Sequence, residues 1–203
     1  MTESILISDE DHRSAALLRR ELLRVGPAAT LVAMSSQVRA EGDDPKSKMR
    51  PQIGDFLIRS DGQKKDNPIT AADLTIGDPP VLAWAVDPGS KVLRDGSGLN
   101  QVLLLRFDAS ALGPDTKPRA AEGVVAYSAV CTHAQCPVSG WISDRQMLHC
   151  PCHQSEYDPR QDAKVVGGPA PRSLPALPLK VTDGKLQVAG LFIGRVGMNR
   201  QMM

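Results

Sequence analysis

The sequence predicts an all-β protein, a small antiparallel β sandwich or barrel. The chain of 203 residues contains 16 prolines and 17 glycines, which favours turns and strands over long helices. Its apolar residues fall in short runs that are separated by turn signals, as expected for successive strands. Residues 180–186 place Asp-Gly between two such runs, which is typical of a tight β hairpin.

We expect the strands to follow the apolar runs in chain order. The run over residues 81–86 is bounded by Pro79-Pro80 and by Asp87-Pro88-Gly89, which are breaker and turn sequences. The run over residues 124–130 leads straight into Cys131. The expected strands cover residues 81–86, 101–107, 124–130, 141–142, 147–148, 177–181 and 186–192.

The N-terminal 40 residues differ from the rest of the chain. Residues 18–24 read Leu-Arg-Arg-Glu-Leu-Leu-Arg, and a weak apolar run and a small residue, Ala40, follow. This pattern resembles a twin-arginine export signal, either cleaved or kept as an anchor. The alternative is an amphipathic helix whose leucines pack on another surface. We therefore expect a helical targeting or anchor segment over residues 1–40, a linker over residues 41–66 and one domain over residues 67–198.

Charge and hydropathy narrow the classes of partner. The net charge of +1 gives no support for a nucleic-acid partner. No run of about 18 apolar residues occurs, so the sequence predicts no ordinary transmembrane helix. Any association with a membrane is expected through the N-terminal segment.

All four cysteines lie in two short segments that also contain two of the four histidines. Residues 131–136 read Cys-Thr-His-Ala-Gln-Cys, and residues 150–158 read Cys-Pro-Cys-His-Gln-Ser-Glu-Tyr-Asp. Two thiolates and two imidazoles suit a [2Fe–2S] cluster in which two histidines replace two cysteines on one iron. Structural zinc is the alternative for such a set. The expected ligands are Cys131, His133, Cys150 and His153.

The remaining cysteines and the residues after the second histidine have expected roles beside the cluster. Cys136 and Cys152 occupy matching places, so a disulfide between them would tie the two segments together; the alternative is two free buried thiols. Ser155 and Tyr157 can donate hydrogen bonds to cluster sulfurs, or they are a turn serine and a core tyrosine. A rigid loop with few donors, expected as a third wall, comprises Gly168, Pro169, Ala170 and Pro171.

Together these motifs resemble Rieske proteins of the disulfide-bearing kind, similar to the iron–sulfur subunit of quinol–cytochrome c reductases (bc1-type complexes). The resemblance covers about residues 70–197. It implies a Rieske-type fold with a small cluster-binding subdomain over about residues 130–172, and the ligand, disulfide and donor roles given above. The chain departs from the family at Ala134 and Gln135, where a bulky apolar residue and glycine are usual, and at Gln154, where glycine is usual.

The resemblance implies an electron-transfer subunit with one [2Fe–2S] cluster. We expect it to pass electrons from a quinol or a partner subunit, such as cytochrome b, to a cytochrome c, on the periplasmic side of a bacterial inner membrane after export in the folded state. One alternative is the small Rieske subunit of an arsenite-oxidase-like enzyme with a molybdopterin subunit. The other is an oxygenase ferredoxin. A hydroxylase is disfavoured because only four histidines are present.

Overall fold

A computed structural model describes residues 44–61 and 67–198, and this part of the chain is all-β, as predicted. The expected targeting segment over residues 1–40 lies outside the described residues. No helix long and apolar enough to cross a membrane occurs within the described ranges. The strands are β1 (Phe56–Arg59), β2 (Val81–Val86), β3 (Val102–Arg106), β4 (Val124–Ser128), β5 (Gly140–Ile142), β6 (Met147–Cys150), β7 (Ser155–Asp158), β8 (Lys164–Gly167), β9 (Leu179–Thr182) and β10 (Lys185–Val188). Short 3₁₀ turns cover Pro45–Lys48, Ala71–Asp73, Gly98–Asn100, Ala109–Ala111 and Lys117–Arg119.

The larger sheet has six strands in the order β4-β3-β2-β1-β10-β9, and all neighbours are antiparallel. The segment before β9 returns to β4 at the other end of this order. There the Leu177 N–H donates to the Ala126 carbonyl at 2.9 Å, and the Ser128 N–H donates to the Pro175 carbonyl at 2.9 Å. These bonds close the sheet towards a barrel.

The smaller sheet, β5-β6-β7-β8, is inserted between β4 and β9 of the larger sheet. Its strands are joined antiparallel, with a register shift between Glu156 and Tyr157 on β7. Strand β4 runs directly into this sheet, and the chain leaves it from β8. Both cysteine segments therefore lie in the part of the chain between β4 and β9.

Strand β3 shows why the protein has two apolar cores. Its four leading residues are all buried, although successive side chains of a strand point to opposite faces. Leu103 and Leu105 pack with Tyr127, Leu148 and Tyr157 towards the smaller sheet. Their neighbours on the other face join the core of the larger sheet, whose most buried members include Leu57, Val102, Leu104, Val124, Leu177 and Leu186. Burial of each such leucine side chain stabilises the folded state by roughly 1.5–3 kcal/mol.

The predicted hairpin is confirmed. Strands β9 and β10 are joined by a two-residue turn in which Asp183 has φ 50° and Gly184 has φ 74°. Positive φ at both central residues is the geometry of a type I′ turn, whose twist matches that of the flanking strands. Asp-Gly is therefore the local signal that sets this register.

The linker expected over residues 41–66 is wrong where the structure describes it. Strand β1 lies inside the larger sheet, between β2 and β10, and Leu57 is fully buried. Just before it, Asp55 accepts two hydrogen bonds from Arg94, at 2.6 and 3.0 Å, in an ion pair whose side chains are almost fully buried. The sequence around β1 did not indicate an internal strand, because the polar groups of the residues before it form hydrogen bonds with distant parts of the domain. The Lys46 carbonyl, for example, accepts from Arg94 at 3.1 Å.

Candidate metal centre

Two loops place the cysteines and histidines. The first cysteine loop (residues 131–136) follows β4, and the second cysteine loop (residues 150–154) connects β6 to β7. In each loop a glutamine N–H donates to the carbonyl of the leading cysteine, from Gln135 to Cys131 at 3.1 Å and from Gln154 to Cys150 at 3.0 Å. The two loops are therefore closed in the same way.

The two glutamines lie in the left-handed region, with φ 60° at Gln135 and φ 61° at Gln154. This conformation is free of strain for glycine and costs about 1 kcal/mol or more for a residue with a Cβ atom. The loop geometry thus explains why glycine is usual at these positions in the family that the sequence resembles. In this chain, a glutamine occupies each of these positions despite the backbone strain.

The predicted disulfide is confirmed, and the alternative of two free thiols is excluded. Cys136 and Cys152 are bonded, with their Cα atoms 6.5 Å apart, and the bond joins the two loops. For a loop of this size, a disulfide stabilises the folded state by about 3 kcal/mol. The other two cysteines, Cys131 and Cys150, are free and buried. The Cys150 Sγ lies within 4.8 Å of both disulfide sulfurs.

The structure also brings together the histidines of the two loops. The ring centroids of His133 and His153 are 4.6 Å apart, and the rings meet edge to face at 85°. The His133 Nδ1 is buried and has no hydrogen-bond partner among the described residues. A buried polar atom without a partner costs about 1–3 kcal/mol, so this atom is available as a metal ligand. The donor set therefore fits a metal centre, and His153 is the exposed member of the pair.

The Cys131 thiol has the surroundings of a thiolate. Burial raises its pKa, but the Tyr157 hydroxyl and the backbone N–H groups of His133 and Ala134 lower it, and the net shift is downward. The Tyr157 Oη lies 3.1 Å from the Cys131 Sγ. Tyr157 is itself fully buried, and burial together with the nearby sulfur raises the pKa of its phenol. The phenol thus stays protonated and can donate to the sulfur.

The Cys150 thiol has an equivalent pair of backbone donors, which are the N–H groups of Cys152 and His153. Burial and the adjacent Cys131 sulfur dominate here, however, and raise the pKa of the Cys150 thiol. Two thiols this close compete for ionisation when no metal is bound. A metal ion that both sulfurs bind would remove this conflict.

Ser155 and the cover loop (residues 168–171) lie beside the second cysteine loop. The Ser155 Oγ is buried without a hydrogen-bond partner in the described part of the chain, which fits a donor to a group that the site would bind. Gly168 has φ 77°, and a Cβ atom on it would lie 2.5 Å from the Gln154 carbonyl oxygen and from the Ser155 Cα. Only glycine permits this approach. On its far side, the Arg172 carbonyl accepts from the Thr132 hydroxyl at 2.7 Å, which ties the cover loop to the first loop.

Arg172 is a structural residue that sequence reasoning missed. Its guanidinium donates to the carbonyls of Arg195, at 2.7 Å, and Gly197. Gly197 in turn packs against the side chain of Gln135 in the first loop. The segment after β10 therefore lies against the first cysteine loop and Arg172. No local signal in the sequence marks these contacts, since they join residues that are distant in the chain. Strands β7 and β8 were also missed, because β7 (Ser-Glu-Tyr-Asp) is mostly polar and β8 is short with exposed alternate positions, so neither contains a clear apolar run.

Comparison with known proteins identifies the metal centre. A family model described as "Rieske [2Fe-2S] domain" matches residues 101–178, which contain both cysteine loops and the cover loop. The "Cytochrome bc1 complex Rieske iron-sulfur subunit" of Streptomyces lividans is 32% identical over 166 residues, covering 77% of this chain and 94% of the relative.

Two further relatives match over different lengths. The subunit of the same name from Streptomyces coelicolor is 32% identical over 199 residues, which is 91% of this chain and 54% of the relative, so the chain spans about half of that protein. A Haloferax mediterranei protein, named as a candidate Rieske subunit of a respiratory nitrate reductase, is 42% identical over 106 residues, covering 51% of this chain and 47% of the relative. Because the Streptomyces lividans subunit is matched over nearly its whole length, this chain belongs to the Rieske [2Fe–2S] protein family, with a [2Fe–2S] cluster as its cofactor.

Proposed function

We propose that this protein is the Rieske electron-transfer subunit of a membrane-associated or periplasmic redox complex, where it passes electrons from a quinol or a partner oxidoreductase subunit to a cytochrome c. The observation that supports this most is the pair of matching cysteine loops joined by the Cys136–Cys152 disulfide, with Tyr157 against Cys131. The bc1 subunits named among the relatives support the same class of complex.

In this proposal Cys131 and Cys150 bind one iron as thiolates, and His133 and His153 bind the other as neutral imidazoles. The support is the geometry of the two loops, which presents two buried free sulfurs and two adjacent rings. When bound, a cluster with this ligation takes up and releases one electron, at a potential of roughly −150 to +300 mV.

The protein's own donors would set the potential within that range. A hydrogen bond to a cluster sulfur stabilises the reduced state more than the oxidised state, since the reduced state carries more negative charge. Tyr157 and Ser155 are the side chains placed for this role, and four backbone N–H groups act to lower the pKa of the two free thiols. We infer a potential towards the upper part of the range.

The exposed histidine supports a further element of the proposal. His153 is exposed, so its imidazole can meet a partner or a quinol at the protein surface. In quinol oxidation, the outer ring nitrogen of such an imidazole would be the group that exchanges a proton with the quinol as the electron is transferred.

A second candidate is the small Rieske subunit of a molybdopterin enzyme, as in arsenite-oxidase-like complexes. The similarity to a candidate nitrate reductase Rieske subunit favours keeping it. The partner distinguishes the two, because the first function requires a cytochrome b subunit and the second a molybdopterin subunit.

Export in the folded state completes the proposal. Cluster insertion requires the assembly machinery of the cytoplasm, while a persistent disulfide requires an oxidising compartment. A twin-arginine route satisfies both, and the arginines Arg19 and Arg20 are placed to specify it. The domain would then lie on the periplasmic side of the inner membrane.

Purification of the native complex from solubilised membranes tests the function. We expect a visible spectrum and an EPR signal typical of mixed nitrogen and sulfur ligation, together with a cytochrome b subunit. The variant His153→Ala should lose that signal. A wild-type protein that carries zinc and no iron would refute the proposal, and a molybdopterin subunit in place of cytochrome b would establish the second candidate.

A further inference from the structure

Gln154, in the second cysteine loop, is an exposed residue with a Cβ atom at a position whose backbone favours glycine. Its backbone occupies the left-handed region, with φ 61°, where any residue with a Cβ atom is strained. It follows His153 directly and is exposed, so burial of its side chain does not stabilise this conformation.

The side chain of Gln154 makes two hydrogen bonds that span its own loop. Its Nε2 donates to the Pro151 carbonyl at 3.0 Å, and its Oε1 lies 2.8 Å from the His149 Nε2. Because the amide oxygen can only accept, the His149 Nε2 carries the hydrogen. The His149 ring is seated on β6 over Gly140, where a Cβ atom would approach the ring to 2.7 Å. Gln154 therefore fastens the loop to a fixed position on a strand.

The backbone N–H donors of the loop lie between Pro151 and Gln154, the two residues that the Gln154 side chain joins. The N–H groups of Cys152 and His153 lie in this stretch and act to lower the pKa of the Cys150 thiol against the effect of burial, and the Gln154 N–H closes the stretch on the Cys150 carbonyl at 3.0 Å. Their direction depends on the path of the backbone from Pro151 to Gln154, which is the stretch that the side chain of Gln154 closes.

We propose that Gln154 is a positioning residue, which through His149 and the Pro151 carbonyl holds the N–H groups of Cys152 and His153 on the Cys150 sulfur and so raises the reduction potential of the cluster. The inference rests on the proposed role of Cys150 as a ligand. When the centre gains one electron, negative charge on the sulfur increases, and well-directed N–H groups stabilise it. We call the two side-chain hydrogen bonds of Gln154, to His149 and to the Pro151 carbonyl, the brace. A loop without the brace directs its N–H groups less well, so the reduced state becomes less stable.

The first cysteine loop provides a matched control. Gln135 has the same residue type and the same backbone conformation, with φ 60°, and closes its loop with the same backbone bond. Its side chain packs against Gly197 after β10 rather than bracing its own loop to a strand. Replacing Gln135 therefore changes the polarity of the rim without removing the brace.

The test is the midpoint potential of cluster-loaded protein, measured by voltammetry at one pH and ionic strength. Gln154→Ala and Gln154→Leu keep a Cβ atom, and hence the backbone strain, but remove both hydrogen bonds. We expect each to shift the one-electron equilibrium about threefold towards the oxidised state, which is a decrease of about 30 mV. His149→Leu should give a similar decrease, and combining it with Gln154→Leu should add little. Gln135→Leu should change the potential by less than a third as much.

Unchanged potentials in both Gln154 variants would overturn the inference, as would an equal decrease in Gln135→Leu or full additivity of His149→Leu and Gln154→Leu. Two variants of Gln154 and one of His149 keep the test decisive where a single variant fails to load its cluster. The outcome is separate from that of the proposed function. A wild-type protein without the mixed-ligand EPR signal refutes the function, whereas a normal signal with unshifted variants refutes only the brace.

Discussion

Replacement of Tyr157 by phenylalanine is the sharpest test of how the protein tunes its cluster. The substitution removes one oxygen from a fully buried side chain and leaves the ring in the core. The lost contact is the 3.1 Å hydrogen bond between the Tyr157 Oη and the Cys131 Sγ. The cluster should be retained because no ligand is altered.

The magnitude follows from the charge that the bond stabilises. A hydrogen bond to a charged group contributes about 1.5–3 kcal/mol, and we take roughly 1 kcal/mol as the part that increases when the electron is added. A tenfold change in an equilibrium constant corresponds to about 1.4 kcal/mol and, for one electron, to about 59 mV. Tyr157→Phe should therefore lower the midpoint potential by about 40 mV.

Tyr127 supplies the control. It is equally buried, but its hydroxyl donates to the Pro159 carbonyl at 2.7 Å rather than to a cysteine. Tyr127→Phe should destabilise the fold without moving the potential. Protein-film voltammetry of both variants, with iron content and the EPR signal checked, distinguishes the two effects. An unchanged potential in Tyr157→Phe, or an equal decrease in Tyr127→Phe, would refute the reasoning.

Three further predictions concern the second donor, the fold and the compartment. Ser155→Ala, which removes the buried hydroxyl that lacks a partner in the described structure, should also lower the potential while the cluster stays bound; voltammetry that matches wild type would contradict this. Asp55→Asn removes the nearer counter-charge of the buried Arg94 and leaves Asp87, at 3.6 Å, as its acidic partner, so it should reduce the free energy of unfolding by up to about 3 kcal/mol; a denaturation midpoint equal to that of wild type would show that β1 does not depend on this pair. Changing Arg19 and Arg20 together to lysine should retain cluster-loaded protein in the cytoplasm with alkylatable thiols, and normal export of this variant would exclude the twin-arginine route.

The sequence by itself determined the chemistry of the centre. Ligand types and their spacing within residues 131–136 and 150–158 are local properties, and they predicted the [2Fe–2S] cofactor and the Cys136–Cys152 disulfide correctly. Local signals also predicted β2 at its exact bounds, and Asp183-Gly184 predicted the turn of the hairpin. These features could be predicted because each depends on residues that are close in the chain.

Only the tertiary structure decided which distant groups meet. Strand β1 looked like linker because the buried partner of Asp55 is Arg94, which lies 39 residues away. The link from Arg172 to the segment after β10 and the brace from Gln154 to His149 depend on how the loops, strands and chain end are placed against one another. The residues next to a polar or charged side chain in the sequence do not indicate which distant group will be its partner. The role of such a side chain is fixed only when folding brings in the group that compensates its charge or completes its hydrogen bonds.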